Sequence, residues 1–188
     1  MNTVRAALAV SSLLLLCACS GGESDEVAVP QGFDLPSGVS LTAGGTKLEA
    51  GEPASVVYRV GEKATSAITV TVTSVDTGTI DDFRFFSLDD AAKKSTPYYV
   101  NLSVTNEGPA GLGGVSVPVY AHADTNTIYP PNELVGDFEP CPVSVLPKSF
   151  LPGASEKLCL VYLVPEGAKL ETVDLQTGDQ ADAIHWSP

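Results

Sequence analysis

Two stretches of strict alternation constrain this chain more than anything else in it. In residues 97–105, Tyr98, Val100, Leu102 and Val104 interleave with Tyr99, Asn101, Ser103 and Thr105, and in residues 67–75, Ile68, Val70 and Val72 interleave with Thr69, Thr71 and Thr73. Successive side chains leave a strand on opposite faces, so a period of two makes strands with one buried face and one wet face. An amphipathic helix would repeat its apolar residues at three and four. Residues 55–60, 157–164, 170–175 and 183–186 read as further strands, and turns such as Asp76-Thr77-Gly78 and Asn106-Glu107-Gly108-Pro109 separate the segments. Residues 113–123 place Val115, Val117, Val119 and Ala121 on one face, with Pro118 marking an edge or a bulge. Residues 157–164 are apolar on both faces, Leu158, Leu160 and Tyr162 opposite Cys159, Val161 and Leu163, which predicts a central strand. Phe83 and Phe85 are expected to share a face of a shorter segment, and residues 89–94 to leave the core as a polar excursion. Short strands at this spacing predict an all-β fold, a sandwich of two antiparallel sheets that buries Val70, Val100, Leu102, Leu160 and Trp186.

The chain has the means to fill such a core. Of its 188 residues 44% are hydrophobic and 18% charged, enough for one ordinary domain and a tail. Ten basic residues stand against 23 acidic ones, a formal charge of −13. That field repels phosphate backbones, so nucleic-acid binding is excluded.

The first 18 residues have a different design. Arg5 precedes the apolar residues 6–16, the layout of a secretory signal, and the run is shorter than the roughly 20 residues a membrane span needs. Leu16-Cys17-Ala18-Cys19-Ser20 resembles a bacterial lipobox, and Cys19 is the expected lipid acceptor because small Ala18 precedes it where Leu16 precedes Cys17. Two acyl chains hold a protein stably on a bilayer. The expected organisation is a lipoprotein signal over residues 1–18, lipid-bearing Cys19 with a flexible acidic tether over 19–44, and the sandwich over 45–188. The expected location is the extracytoplasmic face of the cell membrane. Loss of the signal removes Arg5 and leaves the chain one unit more negative.

Residues 97–108, Pro-Tyr-Tyr-Val-Asn-Leu-Ser-Val-Thr-Asn-Glu-Gly, follow Gly45-Thr46-Lys47-Leu48 and Gly51-Glu52-Pro53-Ala54 and precede Val164-Pro165-Glu166-Gly167. Together they resemble the immunoglobulin-like domain of unknown function of many Gram-positive lipoproteins, a group related to the mycobacterial immunoprotective extracellular antigen. The resemblance covers roughly residues 45–187. It implies an immunoglobulin-like sandwich on an exported protein and brings no catalytic residues.

Once Cys17 is removed and Cys19 acylated, Cys141 and Cys159 are the remaining thiols, and an even pair outside the cytoplasm predicts a disulfide. His122 and His185 are the only histidines; each faces away from its strand's apolar residues, with no i, i+2 or i, i+4 partner that would indicate a metal. Asp81-Asp82 and Asp89-Asp90 lack the spacing of a calcium loop. No cofactor is expected. Residues 124–155 form a long, proline-rich connection carrying Tyr129, Phe138 and Phe150 as candidate partner contacts; the alternative role of such a loop is to cover a sheet edge. The functional expectation is a tethered module that binds an envelope protein, peptide or glycan. An exported enzyme with a site assembled from separated loops is the alternative.

Overall fold

In the computed structural model, which describes residues 27–62 and 64–188, the described chain forms nine strands: β1 Lys47–Leu48, β2 Pro53–Val60, β3 Ala64–Thr77, β4 Thr96–Pro109, β5 Val119–Ala123, β6 Thr127–Tyr129, β7 Ser155–Val164, β8 Leu170–Leu175 and β9 Ile184–Trp186. They make one sheet in the order β1-β9-β8-β5-β6 and a second in the order β2-β3-β4-β7, packed face to face as the all-β sandwich expected. The pairs are antiparallel except that β1 runs parallel to β9, with Lys47 opposite His185. Cys19 and residues 1–18 lie outside the described residues.

The core sits where the alternation put it. Val70, Val100, Leu102, Leu160 and Trp186 are each at most 1% exposed. The Trp186 indole N–H donates to Glu52 O (2.9 Å), and the Tyr162 hydroxyl donates across the sandwich to Val119 O (2.8 Å). Burial pushes that phenol well above the usual tyrosine range.

Several local expectations are corrected. The segment Asn106-Glu107-Gly108-Pro109 does not end its strand: β4 stays paired as far as Ser66 opposite Pro109, because a bulge at Glu107 absorbs one residue. Gly108 takes φ +102° there, open to glycine alone without strain. Residues 113–118 stand outside the ladder, although Val117, Val119 and Ala121 still point inward. Pro118 has no N–H to give, and the N–H of Val119 turns back to Val117 O (2.8 Å). Phe83 and Phe85 do not share a face. Residues Ile80–Phe83 form a 3-10 turn, whose period of three brings Phe86 edge-on to buried Phe83 and leaves Phe85 85% exposed. Finally, β7 is an edge strand, not a central one, since it pairs only with β4.

The packed chain also begins upstream of residue 45. Thr42 N–H donates to Ser55 O (2.8 Å), and Thr42 Oγ1 accepts from Ser55 N–H (3.0 Å), so this segment lies along the outer side of β2. Among the described residues no helix is long and apolar enough to cross a membrane.

Candidate functional site

The 124–155 connection covers a sheet edge. Along β7 the groups turned away from β4 meet it in sequence: Cys159 N–H donates to Val143 O (2.7 Å), Asn132 N–H to Val161 O (2.7 Å), and Leu163 N–H to Asn132 Oδ1 (2.8 Å). The Cys141–Cys159 disulfide forms as expected and ties the loop to the outer face of the same strand. This explains why β7 is apolar on both sides at an edge: one face meets the opposite sheet and the other meets its own connection.

That placement removes two of the three proposed contact residues from the surface. Phe138 is 4% exposed and stacks on Phe83 with ring centroids 4.7 Å apart, while Phe150 is 1% exposed in the inter-sheet core. Tyr129 is half-buried against that core. Tyr99, expected to face solvent, is buried in a second cluster outside the four-stranded sheet with Phe83, Phe138, Val161 and the disulfide. Its ring fills the space beside Gly78, where a larger residue would collide with it.

The Tyr99 hydroxyl donates to Asp82 Oδ2 (2.8 Å), which also accepts Thr79 N–H (2.9 Å). The backbone bond from Thr79, then the Tyr99 bond, hold the Asp82 carboxyl below its usual range, while burial and that carboxylate raise the Tyr99 phenol. A carboxyl lowered on folding contributes stability that is present above its unfolded value, about 4, and lost as pH falls through the folded value. Asp82→Asn should therefore flatten the acid limb of stability, read as the difference in urea midpoint between neutral pH and about pH 3; an unchanged limb would contradict the role assigned to Asp82.

Over this cluster opens a cleft of about 540 Å3 between residues 85–92 and 132–135. Leu88, Leu134 and Leu163 form its apolar floor. Phe85 and Val135, the two most exposed large apolar side chains among the described residues at 85% and 95%, both line it, and its charged members are Asp89 and Glu133. The Arg84 guanidinium lies 4.7 Å from the centre of the Phe85 ring.

The outer face of the other sheet brings both histidines to one carboxylate. Asp174 on β8 is 1% exposed and lies between β5 and β9. Its Oδ1 accepts Thr172 Oγ1–H (2.6 Å) and lies 2.8 Å from His185 Nδ1; its Oδ2 lies 3.2 Å from His122 Nδ1. A carboxylate only accepts, so each ring turns Nδ1–H to it, which leaves His185 Nε2 without a hydrogen-bond partner among the described residues. His122 Nε2 meets Asn126 Oδ1 (3.2 Å), carried on the β5–β6 turn at φ +56°, a conformation asparagine tolerates.

Sequence spacing could not show this cluster, since its members are 52 and 11 positions apart. The one available signal was an aspartate at an outward position of the apolar strand β8. Among the described residues no three of His, Cys, Asp and Glu are arranged to hold a metal ion. Of the acidic pairs, Asp89 Oδ1 accepts Ala91 and Ala92 N–H and Asp90 faces Lys93 Nζ at 3.3 Å. Comparison with protein-family models, with curated proteins and with solved structures found no match.

Proposed function

We propose that the chain is a lipid-anchored binding module on the extracytoplasmic face of the cell membrane, and that it holds a polypeptide partner in the mixed polar and apolar cleft between residues 85–92 and 132–135. The observation that carries this reading is the pair Phe85 and Val135, exposed while most other large apolar residues of the domain are not, on one cleft. Exposed apolar surface gathered in a cleft is what a binding site presents. Asp89 and Glu133 in the lining, on a chain of net charge −13, favour a partner segment that combines basic and apolar side chains. The lipobox-like residues 16–19 and the resemblance to Gram-positive lipoproteins support the address.

Mass spectrometry of the membrane fraction tests the anchor: a diacylated N-terminal Cys19 is expected, and an unmodified soluble chain would refute it. For the cleft, the full anchored protein is compared with Phe85→Ser combined with Val135→Ser in cross-linking from intact envelope. The double variant should keep its melting temperature and lose the captured partner; capture that survives it places the contact elsewhere. Phe138→Ala, by contrast, should cost about 3–5 kcal/mol of stability as a buried aromatic.

The exported-enzyme reading has one observation in its favour, the His185 ring oriented by Asp174. What it lacks is a hydroxyl or thiol hydrogen-bonded to that ring among the described residues, the arrangement that activates a nucleophile.

A further inference from the structure

The outward faces of β1, β9, β8 and β5, with Ser187 just past β9, form a cleft of about 360 Å3 lined by Lys47, His122, Glu171, Thr172, His185 and Ser187. We infer that this is a second binding site, independent of the Phe85–Val135 cleft, and that it takes a neutral polyhydroxylated ligand, a glycan.

Three observations lead there. First, every lining residue is polar, and the ionised groups that reach the opening, Lys47 and Glu171, are of opposite sign. A ligand carrying a net charge of either sign meets a like charge, and a wholly apolar one desolvates the polar ends of six residues to meet only the carbon portions of their side chains. A sugar, with hydroxyls that donate and accept side by side, answers all of them.

Second, a polar group is oriented toward the opening. Asp174, buried under the cleft, takes Nδ1–H from His185 and hydroxyl from Thr172, so that the imidazole is fixed with its Nε2 free of any hydrogen-bond partner among the described residues. A buried carboxylate is costly to place, and a set of apolar residues replacing Asp174 together with its His and Thr partners would cover the outer face of β8 without that cost; the cluster instead keeps a polar, oriented imidazole at the opening.

Third, the backbone is altered at this point. On β8, Thr172 pairs with His122 and Leu170 with Ala123, so Glu171 is the extra residue of a bulge. In regular pleat Glu171 and Thr172 would point to opposite faces; the bulge lets both line the same opening. The cleft lies on the outer face of the five-stranded sheet, whereas Phe85 and Val135 lie over the outer face of the four-stranded one.

The test is imidazole proton–nitrogen NMR of the whole lipid-free mature chain, titrated separately with maltohexaose, mannohexaose, xylohexaose and chitohexaose at millimolar concentration. At least one sugar should move the His185 Nε2 resonance saturably. His185→Ala removes a partner from a buried carboxylate and is apt to unfold the strand, so the deciding variants are the exposed Glu171→Gln and Ser187→Ala. Each should weaken binding about tenfold, the worth of one hydrogen bond to a well-placed group, with unchanged melting temperature. Phe85→Ser should leave the titration as it is. The inference falls if none of the four sugars moves the ring, if the shift persists undiminished in both variants, or if inorganic phosphate moves it instead.

Discussion

Asn106→Ala is expected to lower the stability of the domain by about 3 kcal/mol or more, measured by urea unfolding, although the change removes only a few atoms. Asn106 is fully buried. Its Oδ1 accepts Ser66 Oγ–H (2.7 Å) and Gly108 N–H (3.0 Å), and its Nδ2 donates to Ala110 O (2.8 Å) and Phe150 O (3.2 Å). One side chain thus ties β3, the bulged end of β4 and the close of the long loop to one another. Alanine leaves all four partners without it, and each buried group so stranded costs about 1–3 kcal/mol, against a net gain of about 1 for an ordinary hydrogen bond. Thr105→Ala, one position away on the wet face, should change stability by no more than about 0.5 kcal/mol. Equal effects at 105 and 106 would show that the network is not what holds this end together. Combining Asn106→Ala with Ser66→Ala should cost less than the two separately, because the second change removes a hydroxyl the first has already stranded.

Removal of the disulfide as Cys141→Ser with Cys159→Ser should cost about 3 kcal/mol, the closure entropy of a loop of this size. The separation is 18 residues. The loss should have an address. The amides of Cys159 and Leu163, whose acceptors Val143 O and Asn132 Oδ1 belong to the tethered loop, should lose hydrogen-exchange protection, while the amides of the β4–β7 ladder keep theirs. The variant should also associate more readily, since an uncovered edge offers free backbone groups to another chain. Uniform loss of protection across β7 would mean instead that the bridge supports the whole sheet.

Alternation in residues 67–75 and 97–105 settles strand, inward face and core together, because a pleated backbone has only two sides and the larger apolar set must take the dry one. Val70, Val100, Leu102, Leu160 and Trp186 were identifiable on that ground alone, and the Cys141–Cys159 pair by elimination. The same local rule misplaced β7. A strand apolar on both faces is buried on both faces, but whether a neighbouring strand or a folded-back loop does the burying depends on residues 132–143, which carry no periodic signal. Composition singles out Phe138 and Phe150 as contacts for the same reason: it tells that a loop is apolar, not which way it turns.

Asn106 and Asp174 are the sharper cases. Asn-Glu-Gly-Pro has the composition of a turn, and only the bulge at Glu107, with β3 still alongside, makes it the end of a 14-residue strand with a buried amide. Asp174 joins His122 and His185 because β8 lies between β5 and β9, an order of strands that no spacing along the chain encodes. By itself, then, the sequence determined the strand faces, the core and the cysteine pair, since each follows from pleat or from residue count. The edge position of β7, the Phe85–Val135 cleft and the His–Asp–His cluster were decided by tertiary structure, because each is a meeting of residues far apart in the chain whose distance depends on which strands become neighbours.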